Sequence, residues 1–311
     1  KLPSALGIVL ATLLNLGSYP LFYLGRFFNL LMFAVLVYSA VRITPIGKNV
    51  MMTAGLLPMT LHLASSYSYD AGIIGLAFLL TGMCLRAVYG EGLMSRWEKV
   101  GLVVIAALLA PSKVVYTVIV FLVVLIPRKR FPSTAASVRF KSIAIGCSLV
   151  AILAFRAAVL LQMSGIASSG GGVSSRGDEQ GTFYSLTGLI SDPANTVLLF
   201  LRTFDVQGSF YLETLVGGSL AWFQIELKAP LYVTVVLLII VMISFQRCED
   251  DNALVPVAHR ILFGGLALVG GLGVILSMLV GWTFTYENVI QGVQAVSYTH
   301  LRAHETLANI V

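Results

Sequence analysis

Charge-free stretches divide the chain. Asp, Glu, Lys and Arg are missing from 27–41, 49–69, 71–85, 114–127, 157–175, 229–246 and 261–286, and from a shorter run at 100–112. Apolar runs of this kind approach the roughly 20 residues a helix needs to cross a bilayer. Residues 2–25 are also uncharged, but Pro3, Asn15, Gly17 and Pro20 interrupt them. They read as an interfacial or re-entrant helix leading into the first span near Tyr19. Between spans, Lys and Arg gather in short loops: Arg42 with Lys48, Arg86 with Arg96 and Lys99, Arg128-Lys129-Arg130 with Arg139 and Lys141, and Arg247 with Arg260. Cytoplasmic loops carry the excess of Lys and Arg, so these loops are expected inside. Tyr67–Asp70, Pro111–Lys113, about 165–228 and the segment after Trp282 are then expected outside.

That arrangement closes only if 100–126 crosses twice. Its arms, Val100–Ala110 and Val114–Ile126, are short, and Pro111 stands at the break, where it removes a backbone donor and stops a helix. Such a broken hairpin is tolerated where protein or a water-filled cavity satisfies the freed backbone, so Pro111-Ser112-Lys113 is expected to line a cavity. One long helix over the same residues is the competing reading. It would put Arg128–Arg130 outside, against the charge rule. The external loop opens with the linker-like Ser168-Ser169-Gly170-Gly171-Gly172 and continues to a half-apolar, interfacial helix near Thr196–Phe204.

The expected fold is therefore an all-α polytopic membrane protein with about eight transmembrane helices. These include the Pro-broken hairpin, and interfacial helices lie in the external loop. A single membrane domain covers 1–295. From about Val296 the sequence changes character and reads as translated sequencing-adapter residues, so 296–311 is expected to be a non-native tail. His300, Arg302, His304 and Glu305 accordingly receive no functional weight. Lys1 at the start, with no Met, reads as the beginning of a fragment.

Composition agrees with the pattern. Of 311 residues 58% are hydrophobic and only 11% charged, against about a quarter charged in a soluble domain. The net charge of +6 follows from the basic loops. No basic stretch is interleaved with aromatics, which argues against nucleic acid as a partner. Cys84, Cys147 and Cys248 are far apart and read as buried free thiols. There is no P-loop, GxSxG or HExxH motif, which argues against ATP-driven transport by this chain alone.

Asp70 is the most informative polar residue. It ends the run Ser65-Ser66-Tyr67-Ser68-Tyr69-Asp70, where one span turns into the next with almost no linker. A carboxylate at this depth usually faces a cavity or a partner, and with Ser66 and Ser68 it could bind sugar hydroxyls, a metal or a phosphate-bearing ligand. The residues alone favour an N-cap for a helix opening at Ala71, and both can hold together. Lys113, with Tyr116 one turn on, suits a phosphate or pyrophosphate, or snorkels to headgroups. Arg26, just before Asn29, and Arg156 each need a carboxylate, carbonyls or lipid phosphate. His62 lacks neighbours at metal spacing and reads as packing. Beyond the last span, Glu287, Gln291 and Gln294 gather at the outer face, either around a ligand or as a solvated loop.

Several of these residues carry a resemblance. Leu24-Gly25-Arg26 to Asn29, Thr44-Pro45 with Lys48, and Leu57-Pro58-Met59-Thr60 running to Tyr69-Asp70 resemble the bacterial membrane family named domain of unknown function 2142. Ala110-Pro111-Ser112-Lys113 with Tyr116, and Ile290-Gln291-Gly292-Val293-Gln294, extend the likeness over about Pro3 to Gln294. Family members continue after Gly-Val-Gln with Gly-Arg-Tyr, where this chain has Ala295-Val296-Ser297.

The family looks related to integral-membrane glycosyltransferases that use polyprenyl-phosphate sugars. The resemblance implies an acidic external loop, acting as base or metal ligand, that would precede Lys1, so the catalytic residue itself is not assigned. It further implies a lipid-linked sugar and membrane lipids as partners, the bacterial plasma membrane as location, and transfer to a cell-envelope glycan. No cofactor is required, though a divalent cation such as Mg²⁺ would suit the oxygen ligands. A transporter or flippase of lipid-linked glycans, or a non-catalytic assembly partner, is the other reading.

Overall fold

The computed structural model describes residues 2–112, 117–164, 174–176, 179–217, 229–246 and 255–292. Lys113, Tyr116, Gln294, the glycine-rich linker and the 296–311 tail lie outside them. The described chain is helical apart from a hairpin pairing Ser174–Arg176 with Glu179–Gly181. Among the described residues, four helices are long and apolar enough to cross a membrane: α2 (Ser18–Ile43), α5 (Asp70–Tyr89), α8 (Thr134–Ser164) through its stretch Thr134–Phe155, and α12 (Val257–Trp282). Their apolar faces point mainly outward, and only 6% of the apolar window of α12 is buried. In water such a surface would drive aggregation; in lipid it is the solvated face.

Helix α1 (Leu2–Leu13) folds back on α2. A Cβ on Gly7 would lie 2.7 Å from the Leu24 carbonyl carbon, so only glycine permits this approach, as small residues do between membrane helices. Helices α2 and α5 run parallel, because their contacts advance together: Asn29 meets Ser68, Leu36 meets Gly75, and Ala40 meets Gly82. The intervening 49–69 stretch carries the chain back, and it is not one helix. It forms α3 (Lys48–Leu56) and α4 (Pro58–Ala64), broken at extended Leu57 because the residue before a proline is driven out of the helical region.

Helix α6 (Arg96–Leu109) starts on a complete capping box: Ser95 Oγ accepts from Glu98 N, and Glu98 Oε2 accepts from Ser95 N. It ends just before Pro111. After the break come one α turn, α7 (Thr117–Val120), and a 3-10 turn at Phe121–Leu125; six of the nine residues from 117 to 125 are β-branched valine, isoleucine or threonine beside a proline-limited start. The chain then returns to where α6 began. Buried Arg130 donates through Nε to Ala87 O (3.1 Å) and through Nη1 to the Glu91 and Gly92 carbonyls, and Arg130 O accepts from Met94 N (3.0 Å). An out-and-back path is thus built in, and one long helix over 100–126 is excluded.

Residues 157–164 do not open a separate span. A charge-free window stops at Arg156, but arginine is a good helix former, and α8 runs unbroken from 134 to 164. Helix α9 (Leu186–Ser191) and α10 (Pro193–Val216) follow, so the predicted helix near 196–204 is part of the first half of a longer one. Asp192 Oδ1 caps α10 by accepting from Asn195 N (3.1 Å). Apolar α11 (Leu231–Ser244) precedes α12. At the start of α12, His259 Nδ1 meets the Tyr89 hydroxyl at 2.7 Å. The contacts of Ala40, Tyr89 and Arg130 therefore gather the ends bearing Arg42, Arg86, Arg130 and Arg260 at one end of the bundle.

Candidate functional site

The opposite end of α5 holds the corner formed by Ser65–Asp70. Asn29, 2% exposed, donates through Nδ2 to the carbonyls of Ser66 (2.7 Å) and Ser68 (3.1 Å). Arg26, one turn earlier on α2, donates through Nε to Ser65 O (2.6 Å), and its guanidinium lies 5.4 Å from the Phe22 ring centroid. The Tyr67 hydroxyl crosses back to Phe22 O (2.7 Å). It passes over Gly25, where an added Cβ would sit 2.7 Å from Tyr67 Cε1. One face of α2 thus holds the loop at several points.

Asp70 is 2% exposed. It is the first residue of α5, and Tyr69 occupies the capping position. The predicted N-cap role is therefore shifted by one residue: the carboxylate lies in the first turn, where the helix dipole favours it, and Asp70 Oδ2 accepts from Ser68 Oγ (2.7 Å) while Asp70 N donates to the same Oγ (3.0 Å). Ser66 Oγ likewise donates to Leu63 O (2.7 Å) and accepts from Ser68 N (3.1 Å). Both serine protons are committed inside the loop. Ser66 and Ser68 shape the corner rather than offering donors outward. Burial, reinforced by the Asp70 carboxylate, raises the pKa of the partly exposed Tyr69 phenol.

The structure thus brings together Arg26, Ser66, Ser68 and Asp70. It adds Asn29, whose signal in the sequence was a lone amide one turn beyond an arginine in an apolar run. Pro111 lies toward the same end: Glu98 meets Arg86 and Gly101 meets Met83, so α6 runs back along α5 and its last residue, Leu109, comes toward the start of α5. Lys113 and Tyr116 follow in sequence but lie outside the described residues.

Gln291 belongs to a second cluster. Its backbone N–H donates to Thr283 Oγ1 (3.1 Å), and the neighbouring Ile290 N–H donates to Thr203 Oγ1 of α10 (2.9 Å). Glu287 is turned inward, its Oε2 accepting from Phe284 N (2.7 Å). Ile290 packs with Leu189, Leu199, Ile275 and Leu279. Among the described residues, no three His, Cys, Asp or Glu side chains gather as a metal site.

No curated protein and no solved structure matches the chain. A family model, by contrast, covers residues 2–295, taking in both clusters and the broken hairpin between them. The chain belongs to the membrane family described as "Predicted membrane protein (DUF2142)".

Proposed function

We propose that the protein is a multi-pass glycosyltransferase-like protein of the bacterial plasma membrane. In this reading about eight transmembrane segments include the α6–α7 hairpin, and a sugar passes from a polyprenyl-phosphate carrier to a cell-envelope glycan at the outer face. The carrying observation is the Ser65–Asp70 corner, where a half-buried guanidinium and a buried carboxylate share one helix-bounded end. Arg26 uses Nε within the protein, and its terminal nitrogens, with Lys113 beyond the Pro111 turn, would hold the phosphate and stabilise charge developing on it. Asp70 would bind the sugar or help position a cation such as Mg²⁺, framed by Ser66 and Ser68. Tyr116, Gln291 and Gln294 would complete the acceptor side.

The test is sugar transfer by the protein reconstituted in liposomes with polyprenyl-phosphate sugars. Asp70→Asn and Lys113→Ala are each expected to lower turnover by about tenfold or more, the loss of one charge-assisted contact. Full activity in both variants would sink the assignment. One observation favours a transporter or flippase of lipid-linked glycans instead: the α3–α4 break at Leu57-Pro58, since transporters build sites from broken helices. Carrier translocation without sugar transfer in the same liposomes would decide for it.

A further inference from the structure

At the basic end, a cavity of about 340 Å³ lies between the last turn of α2, the end of α5 and the start of α6. Ile43, Met83, Met94 and Leu102 make its wall apolar, and Arg86 and Glu98 supply charge. Glu98 Oε1 lies 3.2 Å from Arg86 Nε, and its Oε2 is taken by the Ser95 N–H of the capping box. The carboxylate is thereby occupied on both oxygens, and it aims a guanidinium whose side chain remains 54% exposed. Arg42, beside Ile43, and Arg96, at the start of α6, are exposed. Trp97 next to Arg96 is 84% exposed. Exposed Trp and Arg at the end of apolar helices mark the headgroup level of a bilayer.

We propose that this cavity binds an anionic phospholipid. An acyl segment would pack on Ile43, Met83 and Leu102, and the phosphate would meet Arg86, supported by Arg42 and Arg96. Charge complementarity carries the choice of occupant, because this end concentrates Arg42, Lys48, Arg86, Arg96, Lys99 and Arg130. Basic pockets between membrane helices select acidic headgroups. A soluble anion would have little use for the apolar wall. The volume is at the small end for ligand pockets, which fits part of a lipid whose remaining tail stays in the bilayer. The site lies at the other end of α5 from Asp70 and stands independently of sugar transfer.

The test uses the protein in neutral detergent, with phosphatidylglycerol, phosphatidylcholine or inorganic phosphate added separately. Bound lipid is counted by native mass spectrometry and the thermal midpoint is followed, with circular dichroism checking that each variant is folded. Phosphatidylglycerol is expected to bind and raise the midpoint, whereas phosphatidylcholine and phosphate do not. Arg86→Gln should weaken phosphatidylglycerol about tenfold. Ile43→Trp, which fills the wall while keeping every charge, should weaken it as well, and Arg139→Gln, at the same end but outside the cavity, should leave it unchanged. If Ile43→Trp fails to fold, the exposed Arg86 variant decides alone. Equal binding of the two lipids, equal binding of phosphate, or undiminished binding by folded Arg86→Gln overturns the proposal.

Discussion

Removing the Asn29 amide should loosen the Ser65–Asp70 corner more than any other single side-chain truncation on α2. The side chain is 2% exposed and its Nδ2 holds two carbonyls, Ser66 at 2.7 Å and Ser68 at 3.1 Å. A neutral hydrogen bond contributes about 0.5–1.5 kcal/mol net in water-soluble proteins, and about 0.6 kcal/mol on average between membrane helices. Two such bonds, lost together from a buried position, put Asn29→Ala at about 1–2 kcal/mol. Asn29→Asp should cost more. It aims a carboxylate at the same two carbonyls and adds a second negative charge near Asp70. Unfolding in mixed micelles, followed by circular dichroism, should rank wild type above Asn29→Ala above Asn29→Asp. If the alanine variant falls within ~0.3 kcal/mol of wild type and the aspartate variant is no worse, Asn29 does not hold the loop.

Gly25→Ala should destabilise by about 1–3 kcal/mol, the usual cost of overpacking, because Tyr67 must leave its place over α2; adding Tyr67→Ala should recover part of the loss in the same unfolding assay. Arg130→Ala should cost more than ~1.5 kcal/mol, since charged hydrogen bonds to three carbonyls disappear, and Arg130→Lys should rescue only partly because an ammonium lacks the planar fork. In a cysteine-free background, Trp97→Cys and Lys129→Cys should react with a membrane-impermeant thiol reagent from one side of the membrane and Ser112→Cys from the other; labelling of all three from one side refutes the out-and-back path. Burial and Asp70 raise the Tyr69 phenol above its ordinary value of 10.0, so its stabilising share is present below that value and lost as pH climbs through the raised one. Asp70→Asn should lower the Tyr69 ionisation, read as the absorbance difference from the matching Tyr69→Phe protein.

Much of the bundle was legible because lipid imposes a simple rule on composition. Charge-free runs located α2, α5, α11 and α12, and the basic loops named the ends that Ala40, Tyr89 and Arg130 bring together. Where the rule misled, the cause was local. Arg156 ended a charge-free window without ending a helix, so α8 begins earlier than the window did. Pro58 broke a run whose hydropathy alone read as continuous, as backbone sterics outrank composition over one residue. The corner was partly legible. Its hydroxyls and carboxylate stand in one hexapeptide, but their partners Asn29, Arg26 and Phe22 are about forty residues upstream, and no local spacing encodes a contact between parallel helices.

The same bonds limit what the corner can do. Ser66 and Ser68 spend their protons on Leu63 O and Asp70 Oδ2, and Asn29 spends its amide hydrogens on two carbonyls. A neutral sugar would have to displace bonds that hold the loop, at a cost near what it gained in return. A phosphate faces a different balance. Among the described residues Arg26 donates to Ser65 O through Nε and lies against the Phe22 ring, and a guanidinium held that way retains two terminal nitrogens suited to a bidentate oxyanion. In the proposed lipid-linked sugar, the phosphate is therefore the part that Arg26 would hold without loosening the loop, which leaves the sugar to the Asp70 carboxylate.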